Sequence, residues 1–351
     1  MKTSKQKINR RDFVKKIIIG GAVISLGNAG WPTPTMASAN SKIDIGSCRS
    51  VKITCISEIG WHDTDQMLDD IKAGGGVSSN QWEMNWHSEN GAGSSSLIEV
   101  ELSDGRWYRI LLDVGWNPEY MMQRFSETGV DDMLKNGAID LVMISHEHLD
   151  HLWGLEAVLR LRPDIAIALP ATFKSEGLSF IQGRTFPAAG AKNLISHTGS
   201  VIQYVPGGVH KIVDGVAAKV FDLPIILGIH GEQSLYVNVE NRGIVCITGC
   251  CHQTITRFAD FAQDHLIGGD KLYGLYGGLH IAPFGPLTDE AEATIQNMGA
   301  YGFKKMACNH CTGTSAVESM IKKGYPIVRG TGRSGSQSDL YIGNGDQVSF
   351  G

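Results

Sequence analysis

The sequence predicts an α/β fold built as one large unit. Three observations carry that prediction: strand-like and helix-like segments alternate along the 351 residues, 42% of the chain is hydrophobic, and a dense cluster of histidines and acids falls at a strand-to-helix junction. A chain of this length and apolar content can bury a substantial core. It contains no internal repeat or low-complexity block.

The strand-like segments are short runs rich in aliphatic residues: Val51 to Ile56, Ser96 to Leu102, Tyr108 to Asp113, Leu141 to Ser145, Ile165 to Leu169, Ala217 to Leu223, Leu235 to Val239 and Gly243 to Thr248. Apolar residues recurring three and four apart mark helices at Pro118 to Thr128, Leu152 to Leu161, Thr254 to Phe261, Asp289 to Met298 and Ala316 to Lys322. Ala73 to Gly93, rich in Gly, Ser and Asn, reads as a long loop. Its Trp82 and Trp86 are costly to leave in water, so the loop is expected to pack down or to wall a substrate site. Leu272 to Phe284 is a similar aromatic- and glycine-rich segment.

The dense cluster is His146-Glu147-His148-Leu149-Asp150-His151. On the extended part, His146 and His148 project to the same side and can share one metal ion through their ring nitrogens. The loop that follows frees Asp150 and His151 to turn toward a second. Two ions held about 3.5–4 Å apart clamp both oxygens of a displacement reaction, and zinc lowers the pKa of bound water from about 15.7 to about 7. The zincin pattern H-E-x-x-H is excluded, because it requires histidine where Asp150 stands.

At these residues the chain resembles the metallo-β-lactamase superfamily. The resemblance continues upstream in Ile110-Leu111-Leu112-Asp113-Val114-Gly115 and downstream in three segments: Gly249-Cys250-Cys251-His252, Gly277-Gly278-Leu279-His280 and His310-Cys311-Thr312-Gly313. The three later segments are similar to the subgroup of dihydropterin ribofuranosyl-aminobenzene phosphate synthase-like proteins. The resemblance implies an αββα four-layer sandwich of two similar halves. It also implies that His146, His148 and His252 bind one metal, while Asp150, His151 and His310 bind the other. His230 is an alternative third ligand for the first metal. Asp113 is expected either to orient a ligand histidine or to form a turn. His280 and Gly278 are expected to face substrate, against the plain reading of a glycine turn with an exposed histidine.

The departure from the superfamily pattern is Cys250, a thiol where a bridging aspartate is expected. It is either a metal ligand, which a thiolate does well for zinc, or a small buried apolar residue. The expected cofactors are two divalent ions, zinc first, with manganese and iron as alternatives.

At the N-terminus, Arg10-Arg11-Asp12-Phe13 precedes an apolar run from Ile17 to Ala29 and a small-residue site, Ala37-Ser38-Ala39. This looks like a twin-arginine signal peptide over residues 1–39, leaving residues 40–351 as a single exported, periplasmic domain with no stable membrane span. The export machinery is then one partner and a small-molecule substrate the other. Residues 1–39 hold seven of the 31 basic and one of the 36 acidic side chains, so the remainder carries 24 against 35, a net charge of −11. That balance offers nothing to a nucleic acid backbone. Seven cysteines cannot all pair within the chain, although Cys48 and Cys55 are candidates for a disulfide in an oxidising compartment.

The function expected is a metal-dependent hydrolase acting on an ester, amide or phosphoester, with Asp150 orienting the attacking hydroxide as well as binding the second metal. The alternatives are a transferase of the synthase-like type and a non-catalytic metal- or ligand-binding protein of the same fold.

Overall fold

A computed structural model describes residues 42–351. The signal-peptide reading over residues 1–39 lies outside them. The first half of the described chain runs β1 (Cys48–Ser57), α1 (Thr64–Ala73), β2 (Ser95–Leu102), β3 (Trp107–Leu112), α2 (Pro118–Thr128), α3 (Val130–Lys135), β4 (Leu141–Met143), α4 (Leu149–Leu152), α5 (Leu155–Leu161), β5 (Ile167–Pro170), α6 (Ser175–Ile181) and β6 (Val201–Tyr204). The second runs β7 (Val209–Val213), β8 (Val216–Ile225), β9 (Ile229–Val239), β10 (Gly243–Thr248), α7 (Ile255–His265), β11 (Leu272–Gly278), α8 (Asp289–Met298), β12 (Lys305–Asn309), α9 (Thr314–Lys322) and β13 (Gln347–Phe350).

The strand order is β12-β11-β10-β9-β1-β2-β3-β4-β5-β6, with β13 on β1, β8 on β9 and β7 on β8. Each half begins antiparallel and ends parallel: β1, β2 and β3 form a meander that continues into parallel β4, β5 and β6, and β8, β9 and β10 continue into parallel β11 and β12. The two halves join through β1, which pairs in parallel with β9 at Cys48–Val239 and antiparallel with β13 from Val51 to Thr54.

Alternation along the strands shows how the layers stack. In β2, β3 and β4, Leu97, Leu111 and Val142 pack in a core shared with the first-half helices, including Met121 and Phe125 of α2 and Leu155 and Val158 of α5. Their neighbours Ile98, Ile110, Leu112, Leu141 and Met143 turn the other way, into a core between the half-sheets. The second half mirrors this, with Val245, Ile247 and Tyr276 in the shared core and Ile244, Cys246 and Leu275 against Phe258 of α7 and Ile295 of α8. Both faces of these strands are therefore apolar, which is why they read as continuous hydrophobic runs rather than alternating ones. The result is the four-layer αββα sandwich that the sequence predicts.

Two predicted helices keep their bounds because their ends are written in the sequence. For α2, the Asn117 side chain accepts from the Glu119 and Tyr120 amides, Pro118 opens the first turn, and Gly129 closes it with φ of 74°. For α8, Thr288 caps the Ala291 amide and the first turn is acidic. The segment Leu152 to Leu161 is two helices rather than one. At Gly154 a Cβ would stand 2.1 Å from the Val114 carbonyl oxygen, so the chain breaks where it passes β3's end.

Two expectations fail, at Leu272 to Gly278 and at Cys48 with Cys55, while the packed loop from Ala73 to Gly93 holds. Leu272 to Gly278, read as aromatic-glycine loop, is the buried strand β11; its glycines depress strand propensity but make room, and a Cβ at Gly274 would lie 2.4 Å from the Phe350 ring. The loop from Ala73 to Gly93 is pinned, with Trp82 2% and Trp86 8% exposed. Trp82 packs on Trp153, Phe180 and Phe186 and donates its Nε1–H to Glu147 Oε1 at 2.8 Å. Finally, Cys48 and Cys55 are both free and lie on one strand; at about 3.3 Å per residue their Cα atoms stand roughly 23 Å apart, far beyond disulfide reach.

Candidate metal centre

The parallel strands of both halves point their carboxyl ends at one place. Asp113 follows β3, the His146 to His151 loop follows β4, His252 follows β10, His280 follows β11, and His310 follows β12. Ligand sites of α/β sheets form where such strand ends converge, because the loops there are free of ladder hydrogen bonds. Except for half-buried His280, these side chains are buried.

Two triads emerge. Ligand atoms of His146, His148 and His252 lie within 4.8 Å of one another, as do those of Asp150, His151 and His310. These are the two sets implied by the resemblance. His230, the alternative, does not reach either: it is exposed and pairs with Asp222.

The outward hydrogen bonds of the imidazoles say which nitrogen faces inward. His148 Nε2 meets the Ile226 carbonyl oxygen at 3.1 Å and His310 Nδ1 meets that of Glu58 at 2.9 Å; a carbonyl only accepts, so both nitrogens carry the proton. His151 Nδ1 donates to Asp113 Oδ2 at 2.7 Å and His252 Nδ1 to Glu232 Oε2 at 2.9 Å. Ser145 gives its hydroxyl proton to Asp113 Oδ2 and so accepts from His146 Nδ1, both at 2.8 Å. Each of the five rings thus spends one N–H on the protein and turns the lone pair of its other nitrogen into the cluster. Outward acceptors of this kind hold metal-ligating histidines in one tautomer. Two of the inward nitrogens, His252 Nε2 and His310 Nε2, are buried without a hydrogen-bond partner, and His146 Nε2 faces His148 Nδ1 at 2.9 Å, lone pair toward lone pair. A cation relieves all of these at once. The donor set fits divalent metal ions.

Electrostatics differ between the triads. Burial and the neighbouring imidazoles hold His146 well below the ordinary histidine value and bring His148 down to about 3. At Asp150 burial works to raise the pKa, but His151 and His310 outweigh it and keep the carboxyl ionised. At His310 burial acts downward and is overcome by Asp150 and Cys311, which push it up to about 10. The second triad is therefore a negative pocket that draws a positive charge.

Asp113 orients His151 and also accepts the Ser145 amide at 2.6 Å. Gly278 approaches the protein itself: a Cβ there would lie 2.6 Å from Cys311 Sγ and 3.3 Å from His310 Cδ2, so its smallness serves the cluster rather than a substrate contact. His280 does line the pocket, with both ring nitrogens unpartnered and its ring 4.5 Å from that of His252. Sequence reasoning missed Glu232. Fully buried in the middle of β9, its carboxylate accepts from the amides of Cys250, Cys251 and His252 as well as from the His252 ring. It also missed Glu58, whose carbonyl oxygen anchors His310 and whose carboxylate accepts from the Gln337 amide and the Tyr341 hydroxyl.

The cluster floors a small, partly open pocket. Trp61, Met67, Ile71, Trp86, Ile226, Leu227 and Phe284 form its walls, and among the described residues no lysine or arginine lines it.

Residues 89–252 match the family described as the metallo-beta-lactamase superfamily. The chain has the metallo-β-lactamase fold. Within that fold the match ends on His252, so it takes in the first triad whole and leaves His310 beyond it. Among characterised proteins, the 7,8-dihydropterin-6-methyl-4-(beta-D-ribofuranosyl)-aminobenzene-5'-phosphate synthase of Methanocaldococcus jannaschii is 26% identical over 266 residues, 66% of this chain and 84% of that protein. Solved metallo-β-lactamase-like structures include Zn(2+)-bound PqqB from Methylobacterium extorquens, with a TM-score of 0.47 and 12% identity over 86% of this chain and 99% of that one. B. thuringiensis AiiA with N-decanoyl-L-homoserine bound has a TM-score of 0.33 and 14% identity over 72% and 88% of the two chains.

Proposed function

We propose that this protein is an exported hydrolase that uses two divalent metal ions, zinc by preference, to cleave an uncharged acyl substrate such as an ester, lactone, thioester or amide. The observation that carries the reading is the set of five inward-facing imidazoles and one carboxylate at the floor of an apolar pocket. Bound ions would supply an acidified water and Lewis acidity toward the substrate's oxygen. His146, His148 and His252 would hold one ion; Asp150, His151 and His310 the other.

The chain's own residues do the rest. Asp150 is ionised and borders the pocket, so its carboxylate can accept a hydrogen bond from the attacking water and fix its direction. His280 has free ring nitrogens on the same wall, placed to donate to a substrate oxygen. The tryptophans, Phe284 and the aliphatic walls exclude water and favour an apolar acyl portion. A phosphoester is disfavoured because no lysine or arginine among the described residues stands ready for it.

That same lack of cations counts against the synthase-type reading, which draws on the Methanocaldococcus jannaschii relative and its phosphate-bearing product name. The deciding experiment measures metal per chain and turnover on ester, lactone, thioester, amide and phosphodiester panels. About two ions with acyl hydrolysis is the expected result. Bound metal with no turnover on any panel member would defeat the hydrolase reading in favour of the binding protein. Processing before Asn40, read by N-terminal sequencing of protein recovered from the periplasm, tests export.

A further inference from the structure

Two thiols enter the centre. Cys250 Sγ lies 3.4 Å from Cys311 Sγ and 3.2 Å from His151 Nε2, and all three side chains are buried. The other five cysteines point elsewhere: Cys48 and Cys55 lie between the half-sheets, and Cys246, Cys251 and Cys308 pack under the second-half helices.

We propose that Cys250 and Cys311 are thiolate ligands of the metal ions held at this centre, Cys250 from its place between the two triads and Cys311 from beside His310. This rests on the metal-dependent reading above and gives the centre a selectivity: borderline-soft ions such as zinc and cadmium over manganese and magnesium. The Cys250 sulfur is within reach of both triads, grouping with His146 and His151, with His252 and His280, and with His310 and Cys311. It occupies the place between the positions where the superfamily pattern leads one to expect an aspartate.

The spacing, that of S–H hydrogen bonds between free thiols and the His151 ring, is also close to what shared coordination requires. With a Zn–S bond of about 2.3 Å, two sulfurs on one tetrahedral ion stand about 3.8 Å apart, and a sulfur and a nitrogen about 3.6 Å. The observed 3.4 Å and 3.2 Å are a few tenths short of that, whereas a disulfide would need about 2.05 Å. Gly278 protects the arrangement, since any side chain there would displace Cys311 Sγ. On binding, each S–H bond breaks, the proton passes to solvent, and the sulfur lone pair goes to the ion; no electron is transferred.

The test is cobalt(II) substitution of metal-stripped, reduced protein, because thiolate-to-cobalt charge transfer gives an intense near-ultraviolet band that imidazole and carboxylate do not. Wild type is expected to bind about two cobalt ions and show the band, Cys311→Ser to lose roughly half of it, and the Cys250→Ser, Cys311→Ser double variant to lose it while keeping the histidine-held ion. Cys250→Asp should shift the manganese-to-zinc affinity ratio toward manganese by about tenfold or more. Wild type holding two cobalt ions without the band overturns the thiol assignment and leaves the hydrolase reading standing; failure to bind cobalt at all overturns both. Because the wild-type spectrum alone decides, a serine variant that misfolds does not rescue the proposal.

Discussion

The two triads share a floor but differ in chemistry. His146, His148 and His252 are three imidazoles whose outer nitrogens rest on a hydroxyl, a carbonyl and a carboxylate. Asp150, His151 and His310 bring a carboxylate of their own and border the two thiols. The first position therefore draws a cation chiefly through imidazole lone pairs, while the second adds the charge of a carboxylate of its own. Geometry alone does not make two positions equivalent; the charge behind each ligand decides which ion stays and which is tuned for chemistry.

Breaking the comparison at its most reactive point should give the largest effect. Asp150→Asn keeps size and burial but removes the charge, and turnover is expected to fall by roughly 10²–10⁴-fold with an unchanged circular dichroism spectrum. Near-normal kcat in that variant would move Asp150 out of the chemistry. Glu232→Ala acts on the first triad only: it strands the buried amides of Cys250, Cys251 and His252 and frees the His252 ring. Stability should drop by about 3 kcal/mol in denaturant unfolding, because several buried donors are left unsatisfied. Metal titration should show the first position weakened and the second retained. Asp113→Asn acts directly on His151 of the second triad and only through Ser145 on His146 of the first, so affinity is expected to fall by about 10–100-fold at the second position and less at the first, seen as a split in the titration curve. If both positions weaken equally in either variant, the triads are one coupled unit and the comparison fails. The smallest effect belongs to Gly278→Ala, whose Cβ must displace Cys311 Sγ and should cost about 1–3 kcal/mol of thermal stability.

Much of the centre was legible because four of its side chains lie within six consecutive residues after an aliphatic strand. His252 and His310 were legible as well, each being the polar residue that follows a buried run, and Asp113 closes another. Glu232 was not, since it sits in the middle of β9 among Gly231, Gln233 and Ser234, and its purpose depends on β10 lying alongside. Nor was Cys311 separable from Cys308 by spacing; the turn after β12 sends one to the centre and leaves the other under a helix. The fold shows the same division. Runs apolar on both faces announced the central strands, whereas β6, with its four residues exposed or half-buried at the sheet's edge, carried no such signal, and β11 hid behind its glycines.

The halves of the sandwich meet along the strands only at β1, through Cys48 with Val239 of β9 and four residue pairs with β13. Each triad, however, draws two ligands from the loop after β4 in the first half and one from a strand end in the second. A bound ion is therefore a cross-link between separately wound parts of the chain, and neither half can complete a position without the other. Metal loading and the docking of the halves become one equilibrium, so chelation should loosen the seam between them before it disturbs either core.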